Sequence, residues 1–236
     1  MRTWVAVVVA MASAVGARAD LTLEMKTVSV EEEGKRELTT SAWFAPDMAA
    51  NRGVDGKMRI VRFDKRVIWD VDPDTRRYTE TTFARIAELE AEGRKRVQDQ
   101  VAKLKAMLAD PGLPAAERPR VERLIAMTDT KEYAIEEAGE DVVLERRARR
   151  YVVKVGGKPF MSVWATEELG NVSEFNRLNE LSSAHQPGFL DQLRKIKGVW
   201  LRWETPDGAR TAVATRISTD KIDPVVFEVP PSYQRR

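Results

Sequence analysis

The chain has 236 residues, with 39 Lys and Arg against 37 Asp and Glu, one His and no Cys. Without Cys there is no disulfide, thiolate nucleophile or thiolate metal site, so the fold rests on its core alone. Two of the basic residues, Arg2 and Arg18, lie in an apolar leader, so 37 basic face 37 acidic residues in the rest. The basic excess that a nucleic-acid-binding face needs is then gone.

The leader couples Arg2 to an uncharged run from Trp4 to Ala17 and ends Ala17-Arg18-Ala19. A basic start, a short apolar run and an A-x-A end make a cleavable signal peptide, expected over residues 1–19. The run is too short to span a bilayer comfortably and nothing later replaces it, so an integral membrane protein is not expected. Asp20 stands where a lipid-anchored protein would carry Cys. The expected product is a periplasmic or secreted single domain over residues 20–236.

From Asp20 to Phe83 the pattern is strands and turns. Leu21 to Met25 begins an alternating segment, and Leu38 to Phe44 follows a polar turn at Glu31 to Arg36. Lys57 to Arg62 and Arg66 to Val71 are β-rich runs joined by Asp64-Lys65, a hairpin pattern. Asp72-Pro73-Asp74-Thr75 is a turn, because Pro fixes φ and the Asp side chains bond nearby backbone. Arg77 to Thr82 is the next strand. A meander of this kind makes an antiparallel sheet with one apolar face.

Phe83 to Met127 differs in kind. Val97, Val101, Leu104 and Leu108 fall at helical spacing in a charged segment. Glu90–Arg94, Glu92–Arg96 and Asp99–Lys103 are expected i,i+4 ion pairs on its exposed side. Asp110-Pro111-Gly112-Leu113-Pro114 stops that helix, and a second runs to Met127 with Pro119 in its first turn. The result is a helical hairpin over about 83–127, between two strand-rich halves.

Strands resume at Glu132 to Glu136, Asp141 to Glu145 and Arg150 to Val155, and Gly156-Gly157-Lys158 turns into Phe160 to Thr166. Asn171 with Glu174 makes a capping box for a helix toward Ala184, Pro187-Gly188 ends it, and a short helix reaches Lys197. Gly198 to Trp203, Arg210 to Ile217 and Val225 to Val229 are the closing strands.

The segment Met58 to Phe83, M-R-I-V-R-F-D-K-R-V-I-W-D-V-D-P-D-T-R-R-Y-T-E-T-T-F, resembles exported bacterial proteins of uncharacterised function related to the lipoprotein-carrier (LolA/LolB-like) fold. The matching features are Asp64, Trp69, Asp72-Pro73 and Tyr78-Thr79-Glu80. Leu113-Pro114, Tyr151 to Gly157 leading to Val163-Trp164-Ala165-Thr166, and Phe227-Glu228-Val229-Pro230 fit as well. Members often carry a Cys shortly before the Tyr of the middle strand; here Arg146-Arg147-Ala148-Arg149-Arg150 precede Tyr151. The resemblance implies an α+β fold: a strongly curved antiparallel β-sheet, an incomplete barrel, with the helical hairpin and further short helices over its open side. It also implies an enclosed apolar space for a lipid or lipoprotein acyl chain.

Trp43, Trp69, Trp164, Trp200 and Trp203 all fall in expected strands. Alternation puts Val67, Trp69 and Val71 on one face, aligns Phe160 with Trp164, and sets Trp200 and Trp203 on opposite faces. Such rings either fill a sheet–helix core or line a pocket. The pocket version takes Trp43, Trp69, Phe83, Val97, Val101, Phe160 and Trp164 as its candidates, with Phe83, Val97, Val101 and Leu104 in a movable lid.

Asp70 to Asp74 looks like the start of a calcium loop, but Thr75 and Thr81 stand where Gly and the bidentate Glu are needed, so it is read as a turn. Arg146 to Arg150 is expected in a solvated edge strand, or against anionic headgroups. His185 is alone beside Gln186-Pro187; no metal, cofactor or catalytic residue is expected, and no G-x-S-x-G elbow supports a hydrolase. Asn171-Val172-Ser173 fits a glycosylation sequon. Two functions follow: a non-enzymatic periplasmic protein holding an apolar ligand between sheet and helices, or an envelope interaction protein with a closed core that docks partners through the hairpin.

Overall fold

A computed structural model describes residues 20–31, 34–128, 133–170, 172, 175–176 and 192–236. The expected signal peptide, the expected Asn171 capping box and sequon, and His185 lie outside the described residues.

The strands are β1 (Leu21–Glu31), β2 (Gly34–Ala45), β3 (Met48–Arg52), β4 (Met58–Arg62), β5 (Val67–Asp72) and β6 (Arg77–Thr82), then β7 (Tyr133–Val143), β8 (Arg146–Val155), β9 (Lys158–Thr166), β10 (Val199–Glu204), β11 (Arg210–Ser218) and β12 (Gln234–Arg235). Between β6 and β7 stand α1 (Phe83–Ala109) and α2 (Arg118–Thr128). All strands join one open sheet in the order β12-β6-β5-β4-β3-β2-β1-β11-β10-β9-β8-β7. Every pairing is antiparallel except the short β12–β6 contact.

Several expectations change at the boundaries. β3 was not foreseen, since its M-A-A-N-R has neither alternation nor branched residues. The β4–β5 link has four residues, Phe63 to Arg66, and Arg66 takes a left-handed φ of 54°. β7 runs unbroken through two of the expected short strands by absorbing a bulge between Glu137 and Glu140. Val225 to Val229 is no strand: Pro224–Phe227 forms a 3-10 turn capped by the Asp223 carboxylate, which accepts from the Val225 N–H at 3.0 Å. On α1, Asp99 pairs with Lys95 and Glu92 with Arg85, where Lys103 and Arg96 were expected as the partners.

Arg146 to Arg150 also moves. β8 lies between β7 and β9, so it is not an edge strand, and β7 takes the edge. Three of its four arginines meet partners nearby: Arg149 bonds Glu137 at 2.9 Å, Arg146 reaches Glu168 at 3.5 Å, and the Arg150 guanidinium lies 5.1 Å from the Trp164 ring centroid.

Strand alternation gives the sheet an inner and an outer face. On the inner face Leu21, Leu23, Phe44, Ala49, Val61 and Ile68 form a buried core that Ile86 of α1 and Phe175 join. Further along that face, Tyr151, Val153, Val163 and Ala165 pack on Leu193 and Ile196. On the outer face of β2 to β5, Ala45, Ala50, Ile60, Trp69 and Val71 are covered by Ile222 and Phe227 of the C-terminal segment. α1 begins where Thr82 caps it, its hydroxyl accepting from the Arg85 N–H at 3.1 Å. Beyond Ile86 its buried stripe, with Val101, packs toward α2 rather than into the sheet clusters.

Arg62 ties the C-terminal segment to the sheet. It donates from Nε and Nη2 to the two oxygens of Asp64 at 2.8 and 2.6 Å, and from Nη1 to Glu228 and the Phe227 carbonyl. The guanidinium holds the Asp64 carboxyl down at about 2, below its unfolded value near 3.8. Because the folded value is the lower one, this stabilisation is complete above about pH 4 and is lost as pH falls through about 2. Asp64→Asn is therefore expected to lower the urea midpoint at pH 6, with the gap from wild type closing by pH 2.

Candidate functional site

The inner face carries a cavity of about 240 Å³. Leu23 and Met25 come from β1, Ala42 and Phe44 from β2, and Trp200 and Trp203 from β10. Asn51 of β3 stands at one end, and Val172, Phe175 and Asn176 close over it. Four strand steps separate β3 from β10, about 19 Å on a flat sheet. A cavity this small is lined by both only because the sheet curls inward between them. The small Ala42 leaves the space, while Phe175 meets Phe44 edge to face with ring centroids 5.0 Å apart.

A backbone irregularity builds this wall. Trp200 pairs with Ala165 and Trp203 with Val163, and the extra residue Leu201 lies between them as a bulge. Residues three apart thus share a face, contrary to the simple alternation expected. No residue type marks Leu201 as a bulge, so alternation alone misses this pair.

Polar groups at the cavity lack partners. Asn51 Oδ1, Asn176 Nδ2 and Trp200 Nε1 are buried and make no hydrogen bond. The side chains lining the cavity include no charged group among the described residues.

None of the seven residues expected to line a pocket lines this cavity, and they fall into separate groups. Trp43 and Trp69 share the outer face of β2 and β5, beside the C-terminal segment. Trp69 donates to Glu80 at 2.9 Å, and the Arg52 guanidinium stands 5.5 Å from the Trp43 ring. Trp164, on the other side of β9 from Val163 and Ala165, is buried in the cluster that holds Leu23, Phe44 and Phe175, with the Arg150 and Arg202 guanidinium carbons 5.1 and 4.4 Å from its ring centroid. Phe160 is the bulged residue of β9 and is 44% exposed. Phe83 packs edge to face on Phe63 at 5.9 Å. Val97 and Val101 sit along α1, Val101 buried and Val97 partly so.

Two other depressions differ in character. A cleft of about 600 Å³ along β3 to β6 is lined by ions, with Arg59 bonded to Asp70 at 2.7 Å and Lys57 to Asp55 at 2.9 Å. A groove of about 470 Å³ lies between Met58, Ile60 and Val71 and the C-terminal Val225, Val226 and Tyr233. The Asp72 turn accepts the Asp74 and Thr75 N–H groups at 3.1 and 3.2 Å, which accounts for its carboxylate without a cation. No described helix is long and apolar enough to cross a membrane.

No family model matches the chain, and no curated protein matches it. Among solved structures it is similar to an uncharacterised conserved protein of Thermus thermophilus, at 8% identity and TM-score 0.46 over 93% of this chain and 91% of that one. It is similar to MucB in the MucA/MucB complex of Pseudomonas aeruginosa, at 9% identity and TM-score 0.39, and spans 58% of that chain's length. A LolA superfamily protein of Nitrosomonas europaea is also similar, at 6% identity and TM-score 0.31 over 89% of this chain and 90% of that one.

Proposed function

We propose that this is a non-enzymatic, exported protein that holds an apolar ligand, a lipid or acyl chain, in the inner-face cavity. The observation that supports it most is the cavity itself, walled by Leu23, Met25, Phe44, Phe175, Trp200 and Trp203 where the core beside it is closely packed. At about 240 Å³ it lies just below the roughly 300–1,000 Å³ of drug-sized ligand pockets, so it takes one chain segment and not a whole multi-chain lipid. The leader read over residues 1–19 supports a location in the periplasm or outside the cell.

Native mass spectrometry of protein purified from a periplasmic extract, with organic extraction, tests this. A stoichiometric apolar adduct is expected. Ala42→Phe, which fills the cavity from its floor, is expected to abolish the adduct while moving Tm by less than about 4 °C, the equivalent of roughly 1 kcal/mol. A clean apo mass that stays unchanged with a lipid mixture would overturn the reading.

That second result would favour an envelope interaction protein docking through α1 and α2. The observation behind this alternative is that the hairpin exposes Leu89, Met107 and Leu124, while among its described residues Ile86 joins the inner core and Phe83 packs against it.

A further inference from the structure

Resting on the apolar-ligand reading, we infer that the ligand's polar end is a neutral group that both accepts and donates hydrogen bonds, an amide or a hydroxyl. Two unpartnered donors, Trp200 Nε1–H and Asn176 Nδ2–H, and one unpartnered acceptor, Asn51 Oδ1, belong to side chains lining one small cavity. A buried polar group without a partner is costly, and three around one apolar space define a complementary guest. An amide or hydroxyl oxygen has two lone pairs for the two donors, and its own hydrogen is available to Asn51 Oδ1. An ester satisfies the donors but leaves Asn51 Oδ1 unpaired. A carboxylate does the same and also brings a charge into a cavity whose described lining holds no cation.

Isothermal titration of the full mature chain at pH 8 with octanamide, octanol, methyl octanoate and octanoate tests the inference. At that pH octanoate is ionised, well above the ordinary carboxyl value of about 4.3. At least one of octanamide and octanol is expected to bind about tenfold or more tighter than methyl octanoate, with octanoate weakest; the tighter of the two names the head group. Asn51→Leu is expected to erase that margin while leaving methyl octanoate binding in place, and Trp200→Phe to weaken all three neutral probes that bear an acceptor. Equal binding of the ester and both donor-bearing probes would mean that the cavity's polar atoms are met by water alone. It would overturn the inference and leave the apolar-ligand reading standing. Octanoate binding tightest would also overturn it. Failure of all four probes to bind would overturn the inference and the reading beneath it together.

Discussion

Phe227→Ala is expected to lower the unfolding free energy by about 3–5 kcal/mol, the range for deleting a buried aromatic ring. Phe227 is 1% exposed and anchors the C-terminal 3-10 turn on Ala50, Ile60, Trp69 and Val71 of the outer face. Truncation removes that ring's burial and leaves a void beneath a surface segment. The segment is tied down elsewhere by Arg62, through Glu228 and the Phe227 carbonyl, and by the Ile222 N–H bonded to Asp20 at 2.8 Å. Collapse of the segment into the void would bring the loss to the lower end of the range. Urea unfolding followed by Trp fluorescence reads the effect, because Trp69 lies in the same cluster. Val225→Ala, two residues earlier at a position 66% exposed, is the control and is expected to stay within about 0.5 kcal/mol of wild type. Similar losses from both variants would show that Phe227 does not anchor the segment.

Gly198→Ala is expected to cost about 2–5 kcal/mol, combining left-handed strain with overpacking. Gly198 has φ +92°, and a Cβ there would stand 2.3 Å from the Thr166 carbonyl oxygen and 2.9 Å from the Glu167 nitrogen. Both obstacles are backbone, at the point where β9 ends and β10 begins, so neither can rotate away. The displaced start of β10 carries Val199 and Trp200, which line the inner cavity. Loss of ligand binding should therefore accompany the fall in Tm. Gly208 separates the two causes: it has φ +69° with nothing within 4 Å of an added Cβ, so Gly208→Ala carries strain alone, about 1–2 kcal/mol. Equal effects at the two glycines would remove the close approach to Thr166 from the account.

Much of the fold was legible because it is written in short-range chemistry. β4, β5, β6 and α1 were found within a residue or so, since alternation, the Asp72-Pro73 turn, the helical stripe and the Asp110–Pro114 stop are all local signals. β3 and β12 were missed for the converse reason. M-A-A-N-R and the terminal Gln234-Arg235 have little strand propensity, and each is a strand only because β2, β4 or β6 offers it a ladder.

The candidate cavity was hardly legible at all. Counting aromatic residues draws the eye to Trp43, Trp69 and Trp164, yet which face a ring takes depends on register, and register passes through bulges at Phe160 and Leu201. The one extra residue at Leu201 turns Trp200 and Trp203 to the same side. Asn51 gives no signal in sequence, because its importance comes from Ala42 beside it and from Trp200 four strands away.

The sequence by itself therefore determined the absence of thiol chemistry, the antiparallel meander and the helical hairpin, each of which follows from residue types or from residues close together along the chain. Only the tertiary structure decided the strand order, the curl of the sheet and the cavity's lining. Those depend on which distant strands pair and where a bulge shifts their register, and the chain settles that through burial summed over the whole sheet.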